Sequence, residues 1–210
     1  DQIAARRVEL AHAVQAGEVR FKKGTRLAVP EIAALQTAGI GEVIVARLEE
    51  GDIAEDNAAA RLAATALHPS VRIASPSTGR VNIHAEADGL FVVDRHAIEA
   101  INRVDPSITI ATLAEFASVA CGQMVATVKI IPFAVPVEKL DAAIAAAKSA
   151  SPLLKVAPWF SKPVGLVATE LPSLKPEVMD KTARILQARL ARSGSILMKE
   201  VRVPHDEDAV

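Results

Sequence analysis

Residues 164–203 read VGLVATELPSLKPEVMDKTARILQARLARSGSILMKEVRV. Val164 to Thr169 is a short apolar run with the texture of a buried strand. Pro176 to Arg192 then carries Val178, Thr182, Ile185, Leu186 and Leu190 at helical spacing, with Pro176 suited to a first turn. Gly194 is a stop signal, and Ile196 to Val203 resumes a strand pattern. Strand, helix, strand in one short stretch predicts a βαβ unit with parallel strands and a right-handed crossover. Parallel sheets are normally covered on both faces, and one βαβ unit brings one helix. The tail PHDEDAV, with Asp206, Glu207 and Asp208, reads as the first turn of another helix, so this α/β domain is expected to be unfinished at Val210.

Working back from that unit, SPLLKVAPWFSKP (151–163) holds three prolines and predicts a connecting segment. Val135 to Ala150 predicts an Ala-rich helix, with Pro136 near its start and Leu140 and Ile144 in its stripe. From Ser75 onward, short β-type runs are separated by Gly, Asp and Pro, and Met124 to Val137 reads as a strand. The N-terminal part predicts a strand at GEVRF, a helix from Pro30 ending near Gly39, and a strand at Val43, Ile44 and Val45. Asp52 followed by Glu55 predicts a capped helix through DNAAARLAATAL. Three parts result: an N-terminal α/β module (1–74), a β-rich module with a C-terminal helix (75–160), and the start of a further α/β domain (161–210).

Half of the 210 residues are hydrophobic and 23% are charged, which excludes disorder. Aromatics are only 3%, so the core must be aliphatic, and stacking platforms for single-stranded nucleic acid are not expected. A net charge of -1 gives no footprint for DNA or RNA. No run spans a bilayer and no secretory layout opens the chain, so no membrane partner is expected. The single cysteine, Cys121, sits among Ala117, Val119 and Ala120, which predicts a buried thiol and a reducing, cytoplasmic location.

The five histidines show no HExxH or Cys/His spacing, so no protein-ligated metal is expected. Phosphate loops of the GxxxxGK[ST] or GxGxxG type are also missing, and Lys22-Lys23-Gly24-Thr25 is a weak anion candidate. The stretch Ser77-Thr78-Gly79-Arg80-Val81-Asn82 groups hydroxyls, a flexible glycine, a guanidinium and an amide. Gly79, Arg80 and Asn82 could hold a phosphate or carboxylate, or the stretch could be a turn that satisfies its own backbone. In Ile108 to Thr112 the alternating hydroxyls fit a strand. Thr169 and Glu170 end a strand, with Asp180, Lys181 and Thr182 in the helix that follows. Ligands of open parallel sheets bind outside the carboxyl ends of the strands, which gives these residues a geometric reason to face one.

KKGTRLAVPEIAALQTAGIGEVIVARL, together with the stretch from VGLVATE to PHDEDAV, resembles the molybdopterin-binding proteins of molybdenum-cofactor biosynthesis. EDNAAARLA, STGRVNIHAEADGLF, ITIATL and MVATVKIIPFAV resemble the bacterial branch in which this region precedes a nucleotidyltransferase-like domain. The resemblance implies a three-layer α/β/α binding domain of which this chain carries the first βαβ. Its ligand would be molybdopterin, or the molybdenum cofactor, held near Thr169, Glu170, Asp180, Lys181, Thr182 and Asp206. The chain departs from the family in lacking Gly-Asp between Thr169 and Glu170, which removes a turn and a carboxylate from that loop.

Three readings of function follow. The first is a cytoplasmic protein that binds the pterin without transforming it, the phosphate being held by an Arg or Lys. The second is the N-terminal part of a molybdopterin nucleotidyltransferase fusion, with magnesium in the full-length protein. The third is a non-catalytic scaffold that forms a homodimer.

Overall fold

A computed structural model describes residues 8–210; residues 1–7, at the head of the first expected module, lie outside the described residues. The chain is a mixed α/β protein; among the described residues there are five α-helices and several small sheets, none closed into a barrel. Among the described residues no helix is long and apolar enough to cross a membrane.

The N-terminal elements are β1 (Val8–Leu10), β2 (Val14–Ala16), β3 (Val19–Phe21), α1 (Val29–Thr37) and β4 (Val45–Arg47). β1 pairs antiparallel with β4, and β2 with β3. The expected helix forms because Pro30 fits its first turn and the Glu31 carboxylate accepts the Ala28 N–H at 3.0 Å. Leu10, Ala16, Leu27 and Leu35 make a small core of their own. The strand expected from Val43 starts two residues later, leaving Ile44 exposed.

The central body holds β5 (Asp52–Ala54), α2 (Glu55–Ala63), β6 (Val71–Ile73), β7 (Arg80–Ala85), β8 (Gly89–Val93) and α3 (Arg95–Val104). It continues with β9 (Ile108–Thr112), β10 (Ser118–Val119), β11 (Met124–Ile130), β12 (Ala134–Pro136), α4 (Val137–Lys148) and β13 (Leu154–Pro158). Antiparallel pairing gives one sheet of order β6-β7-β11-β9, another of order β10-β8-β13, and the pair β12-β5. Strand alternation turns Val81, Ile83, Val128, Ile130, Ile108 and Ile110 inward, where α2 packs on β7, β11 and α4. Each fully buried Ile or Leu contributes about 2 kcal/mol, so this core holds together with Phe91 as its one aromatic.

Several expectations are corrected here. Asp52 does not cap the helix: it lies in β5, paired to Pro136, and α2 starts at Glu55 after Ala54. Residues 124–137 are not one strand, because β11 ends at Ile130, the turn at Pro132 intervenes, and β12 pairs with a different partner. The proline-rich 151–163 stretch is more than a connection: Leu153, Leu154 and Val156 are buried and β13 pairs with β8. Its prolines sit at or outside the strand's ends, where no ladder bond is lost. Cys121 is exposed, because its peptide N–H is drawn to Asp88 Oδ1 at 2.7 Å in a turn at the sheet's margin. Packing also runs across residue 74, since β6 lies in one sheet with β7 and residues 58–156 share one core.

The C-terminal unit is β14 (Pro163–Glu170), α5 (Pro176–Ala191) and β15 (Ile196–Pro204), with β14 and β15 parallel. Gly194 takes a φ of 70° just past α5, a left-handed conformation that turns the chain into β15. The helix is rotated from the expected stripe. Met179 is buried and Ala183, Leu186 and Leu190 are half-buried, whereas Val178, Thr182 and Ile185 stay exposed. Leu186 and Leu190 belong to both patterns, which is why the apolar spacing alone pointed one residue away from the true seam.

Candidate functional site

The carboxyl ends of β14 and β15 lie side by side, because Thr169 is in register with Val203 and Glu170 with Pro204. Thr169 Oγ1 is 2.9 Å from His205 Nδ1, and the His205 N–H donates to the Glu170 carbonyl at 3.1 Å. Asp206 accepts the Asp208 N–H at 3.0 Å, which caps the short 3-10 turn Glu207–Ala209. The acids expected to open a further helix stand at the start of this turn, as the dipole favours.

Asp180 joins this end of the unit through Arg202, whose guanidinium binds Asp180 and, at 2.7 Å, Glu200. Hydrogen bonds first to Asp180 and then to Glu200 hold Arg202 protonated well beyond its ordinary range. Lys181 is exposed and forms no ion pair among the described residues. Thr182 points its hydroxyl back to the Val178 carbonyl at 3.0 Å, a bond within its own helix.

Between the loop after β14 and the start of α5 lies a shallow cleft of about 360 Å³, lined by Glu170, Leu171, Pro172, Leu174, Pro176, Met179 and Pro204. Its walls mix apolar side chains with polar surface, and one carboxylate stands at the edge. That donor set fits a flat heterocycle with N–H groups on its rim, which a carboxylate accepts.

The 77–82 stretch forms a tight turn whose polar groups are largely engaged. Ser77 and Arg80 exchange backbone hydrogen bonds, while Thr78 and Gly79 both take left-handed φ values of 51° and 71°. The Gly79 N–H donates to Asp56 Oδ1 at 2.7 Å and its carbonyl accepts the Ile130 N–H at 2.7 Å. Asn82 Oδ1 accepts the Thr127 hydroxyl at 2.9 Å. Ser77, Thr78 and Arg80 are exposed, and Arg80 forms no ion pair among the described residues. Of the two sequence readings of this stretch, the self-satisfied turn describes the Ser77–Arg80 backbone, the Gly79 N–H is spent on Asp56, and only the Arg80 side chain keeps the anion-holding reading open.

Neither Arg202 nor Lys129 is singled out as a site residue by the sequence. Lys129 is the one charged residue of β11, a mark that its position can matter, whereas Arg202 follows Lys199 and Glu200 in β15 and carries no such mark. A larger cleft, about 710 Å³, is lined by Asp94, Arg95, His96, Glu99, Glu115 and Lys155 among others, and no motif marks it. Among the described residues no group of three or more His, Cys, Asp or Glu side chains converges as metal ligands would. Compared with protein-family models, curated proteins and solved structures, the chain finds no match, so the resemblance to molybdopterin-binding proteins rests on its own residues alone.

Proposed function

We propose that this chain binds a molybdopterin-type pterin at the carboxyl end of the β14–β15 pair. The observation that carries the reading is the cleft beside Glu170, at the end of a parallel strand pair where α/β proteins hold their ligands. The proline and methionine walls would take the faces of the ring, and the Glu170 carboxylate its amino-pyrimidinone edge. Lys181, free of any ion pair among the described residues, would neutralise the phosphate; Arg202 is already spent on Asp180 and Glu200. Thr169 and His205 would hold the rim in place. Nothing in this arrangement calls for a bond to be made or broken, and the role is binding.

Calorimetric titration with molybdopterin tests the reading. Saturable binding that weakens about tenfold or more in Glu170→Gln supports it, since a charge-assisted contact is worth about 1.5–3 kcal/mol. Absence of saturable binding, or full affinity in Glu170→Gln, overturns it. One observation favours a second reading, the homodimeric scaffold: Val167, Ile196 and Met198 remain exposed on β14 and β15. Light scattering of the same samples distinguishes a dimer from a monomer.

A further inference from the structure

The sheet β6-β7-β11-β9 has two unlike faces. Its inner face is aliphatic and buried. The outer face follows from the register: Arg80 is directly opposite Lys129, which is opposite Thr109, and Asn82 is directly opposite Thr127. Directly opposed residues of antiparallel strands share a face, with Cβ atoms about 5 Å apart. Arg80 and Lys129 are thus two cations held side by side, both exposed, and neither has an ion pair among the described residues. Like charges in that relation are destabilising, and no carboxylate offsets them here.

The neighbouring groups on this face are donors too. Asn82 Oδ1 accepts a hydrogen bond from the Thr127 hydroxyl, which leaves the Asn82 amide N–H groups as donors without a bond among the described residues. One residue pair further along β7 comes His84, whose Nδ1 is buried and without a hydrogen-bond partner. Burying such a group unpaired costs free energy unless something else meets it. Glu86, two residues further along the chain, is engaged by Arg72 at 3.1 Å.

We infer that this outer face is an oxyanion site, separate from the cleft at Glu170, and that it takes the phosphate or diphosphate group of a small molecule. Arg80 and Lys129 grip the terminal phosphate between them, Arg80 with its planar fork and Lys129 as a point charge. Asn82 contacts the adjoining phosphate or ester oxygen, one strand pleat away. The 77–80 turn has no part in cradling the anion, because the Gly79 N–H is already given to Asp56. Its role is to start β7 so that Arg80 lands opposite Lys129. A net charge of -1 for the whole chain fits a small anion better than a polyanion.

The test is titration of the intact chain with pyrophosphate, followed by amide and side-chain NMR signals, with sodium chloride at matched ionic strength as the control. Arg80→Met and Lys129→Glu are compared with the parent chain, and both positions are exposed, so neither variant empties the core. The expected result is saturable shifts at Arg80, Lys129 and Asn82, weakened about tenfold or more in each variant. A second readout has the opposite sign. Lys129→Glu puts an acid opposite Arg80, so the ligand-free variant melts roughly 1–3 °C higher even as it loses the anion. No saturation, shifts reproduced by chloride, or undiminished binding in both variants overturns the assignment. So does tighter binding of a single-stranded oligonucleotide than of pyrophosphate.

Discussion

Lys23 Nζ lies 3.1 Å from Glu55 Oε2 and 4.5 Å from the centre of the Phe133 ring, so one ammonium ties the N-terminal hairpin to the first turn of α2. The two partners differ in exposure: the Lys23 side chain is 35% exposed and that of Glu55 only 5%. Removing either one therefore has unequal consequences. Lys23→Met leaves a buried carboxylate without its cation and should destabilise by about 2–3 kcal/mol, below the full range for buried pairs because water reaches this one. Glu55→Gln leaves a lysine that water can rehydrate, and should cost about 1 kcal/mol. Urea unfolding of both variants checks the order, and equal losses would mean that the pair is effectively a surface one.

Gly79 should tolerate no side chain. A Cβ there would stand 2.6 Å from the Ile130 carbonyl and 3.0 Å from Glu55 Oε2, on a backbone already at a φ of 71°. Gly79→Ala is expected to cost about 3 kcal/mol, from left-handed strain together with displacement of the Ile130 bond. The preceding residue gives the reverse effect. Thr78 is β-branched at a φ of 51°, so Thr78→Gly should stabilise by roughly 1 kcal/mol by relieving that strain. Thermal melts of the two single variants report both signs.

These residues also show what could be read from the chain before its fold was known. The βαβ unit was legible because the strand pattern, Pro176 and Gly194 act locally and agree with one another. The rotation of α5 was not, since Ile185 and Val178 extend an apolar stripe that its two-stranded sheet is too narrow to cover. Likewise 151–163 announced itself as a connection through its prolines, yet β8 recruited its middle as a strand, a long-range pairing that composition cannot express. At the β14 end, Thr169 and Glu170 follow from strand position. Arg202 reaches Asp180 only once helix and strand are stacked. Lys129 acquires meaning only when the register sets it against Arg80.

Asn102 illustrates a second kind of hidden contact. From α3 its amide donates to the Ile110 carbonyl at 3.0 Å and its Oδ1 accepts the Ile110 N–H at 2.8 Å. β9 is an edge strand, with β11 on one side only. The side chain thus stands in for a missing neighbour strand and blocks the edge against pairing with another chain. Asn102→Leu leaves two backbone groups unsatisfied and should cost about 2–3 kcal/mol. It should also raise the tendency to aggregate on partial unfolding. Chemical denaturation gives the first, and light scattering during a slow melt gives the second.

Acid sensitivity should trace in part to Asp105. It stands just past the end of α3, where Oδ1 accepts the Ser107 N–H at 2.9 Å and Oδ2 lies 3.8 Å from Lys139 Nζ. The Ser107 hydrogen bonds, with a smaller contribution from the Lys139 charge, hold its carboxyl below the ordinary value of 3.8. The folded chain thus binds this proton less readily than the unfolded chain. The stabilisation is fully present above pH 3.8 and is lost as the pH falls through the lower folded value. Asp105→Asn keeps an oxygen for the Ser107 N–H but has no proton to gain. Unfolding midpoints at pH 7, 4 and 3 should fall less steeply for Asp105→Asn than for the parent chain. Parallel declines would mean that other carboxylates carry the acid limb and that the Ser107 bond is made equally well by the protonated acid.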